Sequence, residues 1–229
     1  LNEETNGIYL NNRNKILFGH FINSSGLQAD KVAHKFSIGK HYKIIPFKGI
    51  YWKLRKDSPF KFNVNLYPVP DLNIPFLGVH FTPNVSNDLI NIGPTAIPAF
   101  GRENYSFFEK VEPINLIEDM TFLANRYFSN SGGFRKYVNE QALLGFPLLF
   151  LNAAKKLIPK LKYNHIEPSE KVGIRAQLFN LEKKEMIKDF LCLKGKNSTH
   201  IINTISPAFT ASFALADHII DNYIFEEKN

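Results

Sequence analysis

A single cysteine, Cys192, stands among 229 residues, which excludes an intramolecular disulfide framework and any cysteine-built zinc or iron–sulfur centre. So sparse a use of cysteine fits a reducing compartment. Long hydrophobic runs are missing too. The longest, Ala142 to Leu151, is about half of the roughly 20 residues that a bilayer core demands, and Pro147 interrupts it. The seven histidines include no His-x-x-x-His or His-Glu-x-x-His pair, so no metal site is predicted. The basic surplus is modest: 28 Lys and Arg against 21 Asp and Glu give +7, spread along the chain. Its densest cluster, Lys155, Lys156, Lys160 and Lys162, has only Tyr163 beside it, whereas nucleic-acid binding calls for a basic stripe interleaved with stacking aromatics. The surplus suits an anionic small molecule or an acidic membrane surface instead. What the chain does have is apolar bulk. Hydrophobic residues make up 44%, with 21 Phe and 9 Tyr, enough for the core of one large domain or two small ones.

The opening reads as a hairpin, Gly7–Leu10 and Lys15–Phe18 around Asn11–Asn14, then a strand at Phe21–Asn23, a small-residue turn at Ser24-Ser25-Gly26 and a helix from Leu27 to Phe36. From Tyr42 to Phe100 the texture is β. Strands are expected at Ile50–Arg55, Val64–Tyr67, Leu77–Phe81 and Leu89–Ile92, spaced as in an antiparallel meander. Residues 112–163 read helical, with Ile117, Met120, Phe122, Leu123 and Tyr127 at spacings of three and four. Strands return at Ile174–Leu178, Asp189–Leu193 and Thr199–Ile202, and a closing helix is expected from Pro207 to Phe225 with Ser206 as its N-cap. The fold class is α+β: a mainly antiparallel sheet with helices on one face, plus a short α/β piece.

Several blocks carry a resemblance. Tyr67-Pro-Val-Pro-Asp-Leu-Asn-Ile-Pro-Phe-Leu-Gly-Val-His-Phe-Thr82, then Ile92-Gly-Pro-Thr-Ala-Ile-Pro-Ala-Phe100 and Arg102-Glu-Asn-Tyr105, closely resemble the L-2-hydroxyglutarate oxidases and dehydrogenases, a branch of the D-amino-acid-oxidase-like FAD-dependent oxidoreductases. Asn23–Asp30, Ile45–Gly49, Gly173–Gln177 and Asn203–Ser212 add to the match in family order. That family opens on a strand and a Gly-x-Gly-x-x-Gly turn that seats the FAD pyrophosphate on a helix N-terminus. None of the thirteen glycines here stands in a Gly-x-Gly arrangement. The chain therefore resembles roughly the C-terminal half of such an enzyme, which would also account for a start at Leu1. The implied organisation is a partial FAD-binding domain over 1–41, a substrate-binding domain over 42–172, and a return to the FAD-binding domain over 173–229.

The resemblance implies FAD as cofactor and a set of site residues, each with a plainer reading beside it. Gly26, between strand and helix, would let backbone amides approach FAD, or is an ordinary turn. Ser206, Pro207 and Ala208 would bring a helix N-terminus against the flavin, or simply cap that helix. Lys48 would face the flavin edge, or be an exposed loop lysine. Arg175 lies on the opposite face from Ile174 and Ala176, where a guanidinium needs a bidentate anion: a substrate carboxylate or a structural one. His80 is the candidate base for taking a hydroxyl proton, or is a hydrogen-bonded strand histidine. Tyr67 and Arg102 are candidate substrate-pocket residues. The implied reaction takes L-2-hydroxyglutarate to 2-oxoglutarate by hydride transfer to flavin N5, with a quinone or oxygen as electron acceptor. The alternatives are a related flavin amine or hydroxy-acid oxidase and a non-catalytic binding or assembly domain. The apolar run ahead of Lys155–Lys162 is either a core helix with a lysine-rich solvated face or a site of peripheral membrane contact, and the expected location is the cytoplasm or the inner face of a membrane.

Overall fold

The computed structural model describes residues 7–9, 14–69, 78–106, 109–130 and 134–224. In chain order the elements are β1 (Gly7–Tyr9), β2 (Lys15–Leu17), β3 (Phe21–Asn23), α1 (Ala29–Lys35), β4 (Tyr42–Leu54), β5 (His80–Pro83), β6 (Ile90–Gly93) and β7 (Ile97–Pro98). Then come α2 (Pro113–Ser129), α3 (Phe134–Leu143), α4 (Pro147–Ala154), β8 (Ile166–Asn180), β9 (Glu185–Met186), β10 (Leu191–Lys194), β11 (Ser198–Asn203) and α5 (Ser212–Ile219). The chain divides into two units: Leu1–Ile45 with Ala176–Asn229, and Pro46–Arg175.

In the discontinuous unit β1 and β2 pair antiparallel. The turn residues 11–13 lie outside the described residues. β11 sits between β10, which it pairs antiparallel, and β3, which it pairs parallel with Ser198 opposite Phe21. β3 passes through a tight turn into α1, whose small residues Ala29 and Ala33 pack against Ile44, Leu178 and Ile202. Asp30 is buried on the same helix because its Oδ2 accepts the Ile44 amide at 2.8 Å.

A polar chain runs through the middle of this sheet. Asn23 Nδ2 donates to Ala29 O and to His200 Nδ1, Asn23 Oδ1 accepts from Ser25, and the His200 Nε2–H donates to Ser198 Oγ at 3.0 Å. Both ring nitrogens are thus committed to the neutral imidazole, and Phe36 meets the ring edge-on at 4.9 Å. Burial, with His20 nearby, pushes the His200 pKa down to about 4. The folded-state pKa lies below the unfolded one, so the stabilisation is full above pH 6.5 and is lost as pH falls towards 4. The shift corresponds to about 3 kcal/mol at most. Thermal unfolding followed from pH 7.5 to 4.5 is expected to show a drop in Tm, and His200→Gln should flatten that drop. An equal acid drop in both proteins would count against His200 as its source.

The continuous unit is built on β5, β6, β4 and β8, neighbours in that order in a sheet, with β7 alongside β4. β5 pairs antiparallel with β6, and β6 with β4. Period-two alternation gives this sheet two unlike faces. One carries Leu54, Phe81, Ile90 and Ile92, which pack on Phe150, Leu151 and Ala154 of α4 and on Ile158, Leu161 and Ile166. Trp52 stacks on Phe150 with centroids 5.7 Å apart. The other face carries His80, Thr82, Asn91, Gly93 and Lys53, in register across three strands.

Three expectations are corrected here. Ile50–Arg55 is the end of the 13-residue β4, since Pro46 lies inside the strand and does not break it. Val64–Tyr67 makes only one bridge, Leu66 to Phe81, and is not a strand; Leu77 of the next expected strand lies outside the described residues. The closing helix begins at Ser212, not Pro207. Residues 207–211 form turns instead, in which the Thr210 hydroxyl donates to Pro207 O at 3.0 Å, a side-chain bond that competes with regular helix. Ser206 is therefore no N-cap. Phe225 lies outside the described residues.

Candidate functional site

Within the continuous unit, the polar sheet face gathers two of the predicted residues. His80 leads β5, half-buried, with its ring 4.8 Å from that of Tyr67. Its Nδ1 is 3.0 Å from Gly78 O. A carbonyl only accepts, so Nδ1 carries the proton and Nε2 keeps its lone pair. Burial lowers the His80 pKa from its ordinary value. The bond to Gly78 opposes this, and the charges of Arg175 and Lys171 lower it further. The imidazole is thus held neutral, in the tautomer a general base requires.

Arg175 and Lys171 both belong to β8, four residues apart, so they share a face. Lys171 Nζ lies 4.7 Å from the centre of the Tyr51 ring. Trp52 pairs with Ile92, and continuing that antiparallel register sets Tyr51 across from Gly93, which in turn opposes His80. Gly93 is required here on two counts. Its φ is +137°, and an added Cβ would stand 3.2 Å from Tyr51 Cδ1 and 3.1 Å from Ile50 O. In the row His80, Gly93, Tyr51 the aromatic ring therefore leans over the glycine that opposes the histidine, and Lys171 stands against that ring. Lys171, Tyr51 and Gly93 were not singled out from sequence. Lys171 becomes legible only once β8 is known to be a strand over its whole length.

Other predicted residues are placed elsewhere. Lys48 is buried in β4, and its ammonium donates to Asn104 Oδ1 at 2.6 Å and to Ser106 O at 3.0 Å. Burial lowers its pKa. Asn104, fully buried, also accepts the Phe100 amide and donates to the carbonyls of Ser106 and Glu109, so it knots the 100–109 loop onto β4. Sequence reasoning missed this asparagine, although it lies in the block that carries the resemblance. Arg102 is buried in the same loop, with its backbone amide donating to Glu112. Tyr67 is half exposed beside His80.

The discontinuous unit holds a cleft of about 660 Å³ whose lining includes Gly26, Ser206, Pro207 and Ala208, the cofactor candidates other than Lys48, together with Ser24. It opens past the carboxyl ends of the parallel strands β3 and β11, where ligands bind in open α/β sheets. Gly26 has φ +57°, and a Cβ there would meet nothing within 4 Å, so the turn leaves backbone open to the cleft. Those features fit a nucleotide cofactor lying against the turn. Among the described residues no group of three or more His, Cys, Asp or Glu is placed to hold a metal ion.

Comparison with known proteins gives a consistent picture. The chain is 33% identical over 222 residues to the mitochondrial L-2-hydroxyglutarate dehydrogenase of Caenorhabditis briggsae, an alignment covering 91% of this chain and 48% of that protein. It is 30% identical to the L-2-hydroxyglutarate dehydrogenase of Escherichia coli K12, covering 96% of this chain and 51% of the relative. The chain thus spans about half the length of the curated relatives it matches. Among solved structures, the dithionite-reduced L-α-glycerophosphate oxidase of Mycoplasma pneumoniae with FAD bound shares the fold, with a TM-score of 0.51 at 16% identity over 92% of this chain and 44% of that one. The model of the DAO family, described as FAD dependent oxidoreductase, matches residues 3–222. Nearly the whole chain is covered by that match, and it belongs to the DAO family of FAD-dependent oxidoreductases.

Proposed function

We propose that this chain supplies the substrate-holding unit and part of the FAD-binding unit of an enzyme that oxidises an L-2-hydroxy acid, with L-2-hydroxyglutarate as substrate and 2-oxoglutarate as product. The observation that carries the reading is a neutral His80, with Nε2 unprotonated, on the same polar sheet face as Arg175. Arg175 would grip the carboxylate next to the hydroxyl-bearing carbon, and its planar fork suits that task. His80 Nε2 would take the hydroxyl proton as the C2 hydride leaves, and Tyr67 would pack against the imidazole and limit its rotation. Ser24, Gly26 and the 206–208 turn would hold FAD, which when bound supplies the hydride acceptor at N5. Electrons would then pass to a quinone or to oxygen.

The test uses FAD-loaded enzyme containing this chain. Under anaerobic conditions L-2-hydroxyglutarate is expected to bleach the flavin absorbance, whereas the D isomer and L-glutamate leave it unchanged. Bleaching by L-glutamate alone would replace this reading with an amine oxidase.

Peripheral contact with a membrane is part of the proposal. α4 splits its apolar residues: Phe150 and Leu151 are core, but Leu148 is 66% exposed and Leu149 38%. Exposed Lys156, Lys160 and Lys162 follow them. An apolar edge beside cations is the composition of an interface-lying segment. No helix among the described residues is long and apolar enough to cross a bilayer. Sedimentation with anionic liposomes at low salt, and partial release at high salt, is expected. Protein that stays in the supernatant at low salt would end the membrane reading.

A further inference from the structure

We propose that Lys171 fixes the distal carboxylate of a dicarboxylate substrate, opposite the carboxylate held by Arg175, and so sets the preference for a dicarboxylate over a monocarboxylate. This rests on the 2-hydroxy-acid reading of the same sheet face.

The geometry comes from β8. Lys171, Gly173 and Arg175 alternate onto one face, and the two cations start about 13 Å apart at their Cα atoms. Gly173 lies between them, and a Cβ there would meet nothing within 4 Å, so the space between the two stems is open. Long side chains on either side can lean together over it and present two positive ends to one short molecule. Lys171 Nζ lies 4.7 Å from the centre of the Tyr51 ring, which leans over Gly93, the residue opposite His80. Among the described residues no carboxylate lies within ion-pair distance of Lys171, so its charge is not consumed by the fold. Both cations act on His80 through space and lower its proton affinity. A monocarboxylate would use Arg175 and His80 and leave Lys171 in water. A dicarboxylate of suitable length would engage all three.

Two measurements on FAD-loaded enzyme containing this chain test it. Calorimetry with unreactive glutarate and butyrate is expected to give tighter binding of glutarate to the wild type. Lys171→Met should weaken glutarate at least tenfold with butyrate unchanged, and Lys171→Arg should restore most of the difference. In turnover, Lys171→Met should raise the KM for L-2-hydroxyglutarate at least tenfold with kcat within threefold, and leave L-2-hydroxybutyrate unaffected. Equal losses for both substrates, or an unchanged glutarate affinity in Lys171→Met, would overturn the assignment of Lys171 while leaving the hydroxy-acid reading standing. A wild type that oxidises no 2-hydroxy acid would overturn both.

Discussion

His80→Asn, in FAD-loaded enzyme containing this chain, is expected to lower kcat/KM for L-2-hydroxyglutarate by about 10²- to 10⁴-fold, the range for loss of a positioned base. Asparagine is the informative replacement because its amide can still donate to Gly78 O, as Nδ1 does now. The strand end stays tethered while the lone pair at Nε2 is lost. The pH profile adds a second signature. Burial lowers the His80 pKa, and Arg175 and Lys171 lower it further. A base works in its deprotonated form, so the acid limb of kcat/KM should lie below pH 6.5 in the wild type. Removing either cation should move the limb upward, and His80→Asn should abolish it. A profile unchanged in His80→Asn would remove His80 from the proton transfer.

Arg175→Met should act on affinity instead. Truncating one partner of a hydrogen-bonded charge pair costs about 2–5 kcal/mol, and the half-buried position of Arg175 favours the lower part, about 2–3 kcal/mol. The KM for L-2-hydroxyglutarate should therefore rise roughly 30- to 150-fold, at about 1.4 kcal/mol per tenfold. FAD affinity should hold, because Gly26, Ser206, Pro207 and Ala208 line a cleft in the other unit. Stopped-flow reduction of the flavin separates the two effects, since binding and hydride transfer give different concentration dependences. A KM unchanged in a folded, FAD-loaded variant would mean that Arg175 serves the fold alone.

What could be read in advance follows a physical line. The hairpin, the helix after Ser24-Ser25-Gly26 and the helical block from 113 were legible because caps, turns and periodicity are local signals. The face of His80 was legible from its neighbours, since alternation needs only a strand. Register was not. That Tyr51 leans over Gly93 opposite His80, or that Lys171 reaches the Tyr51 ring, depends on which strands pair and at which offset. That is settled by packing on Phe150 and Leu151 at long sequence separation. Lys48 shows another limit. In Pro46-Phe-Lys-Gly49 it reads as a loop lysine or a cofactor contact, and only the tertiary fold brings Asn104 onto its ammonium. The closing helix was drawn too early because Pro207 is also a good first-turn residue, and the hydroxyl of Thr210 favoured turns instead.

The parallel pairing of β3 with β11 carries a consequence for synthesis. Asn23 meets His200 across 177 residues, so among the described residues β3 gains its strand partner β11 only after nearly all of that length has been made. At about 5–20 residues per second the interval is roughly 9–35 s, far longer than hydrophobic collapse. During it, Phe21 and Ile22 lack β11 while the segment 46–175 can already complete its own sheet contacts. Nascent chains stalled near residue 180 are therefore expected to hold a protease-resistant continuous unit and a cleavable segment around β3. That segment should become resistant only after β11 has cleared the ribosome, which makes it a natural client of chaperones during translation.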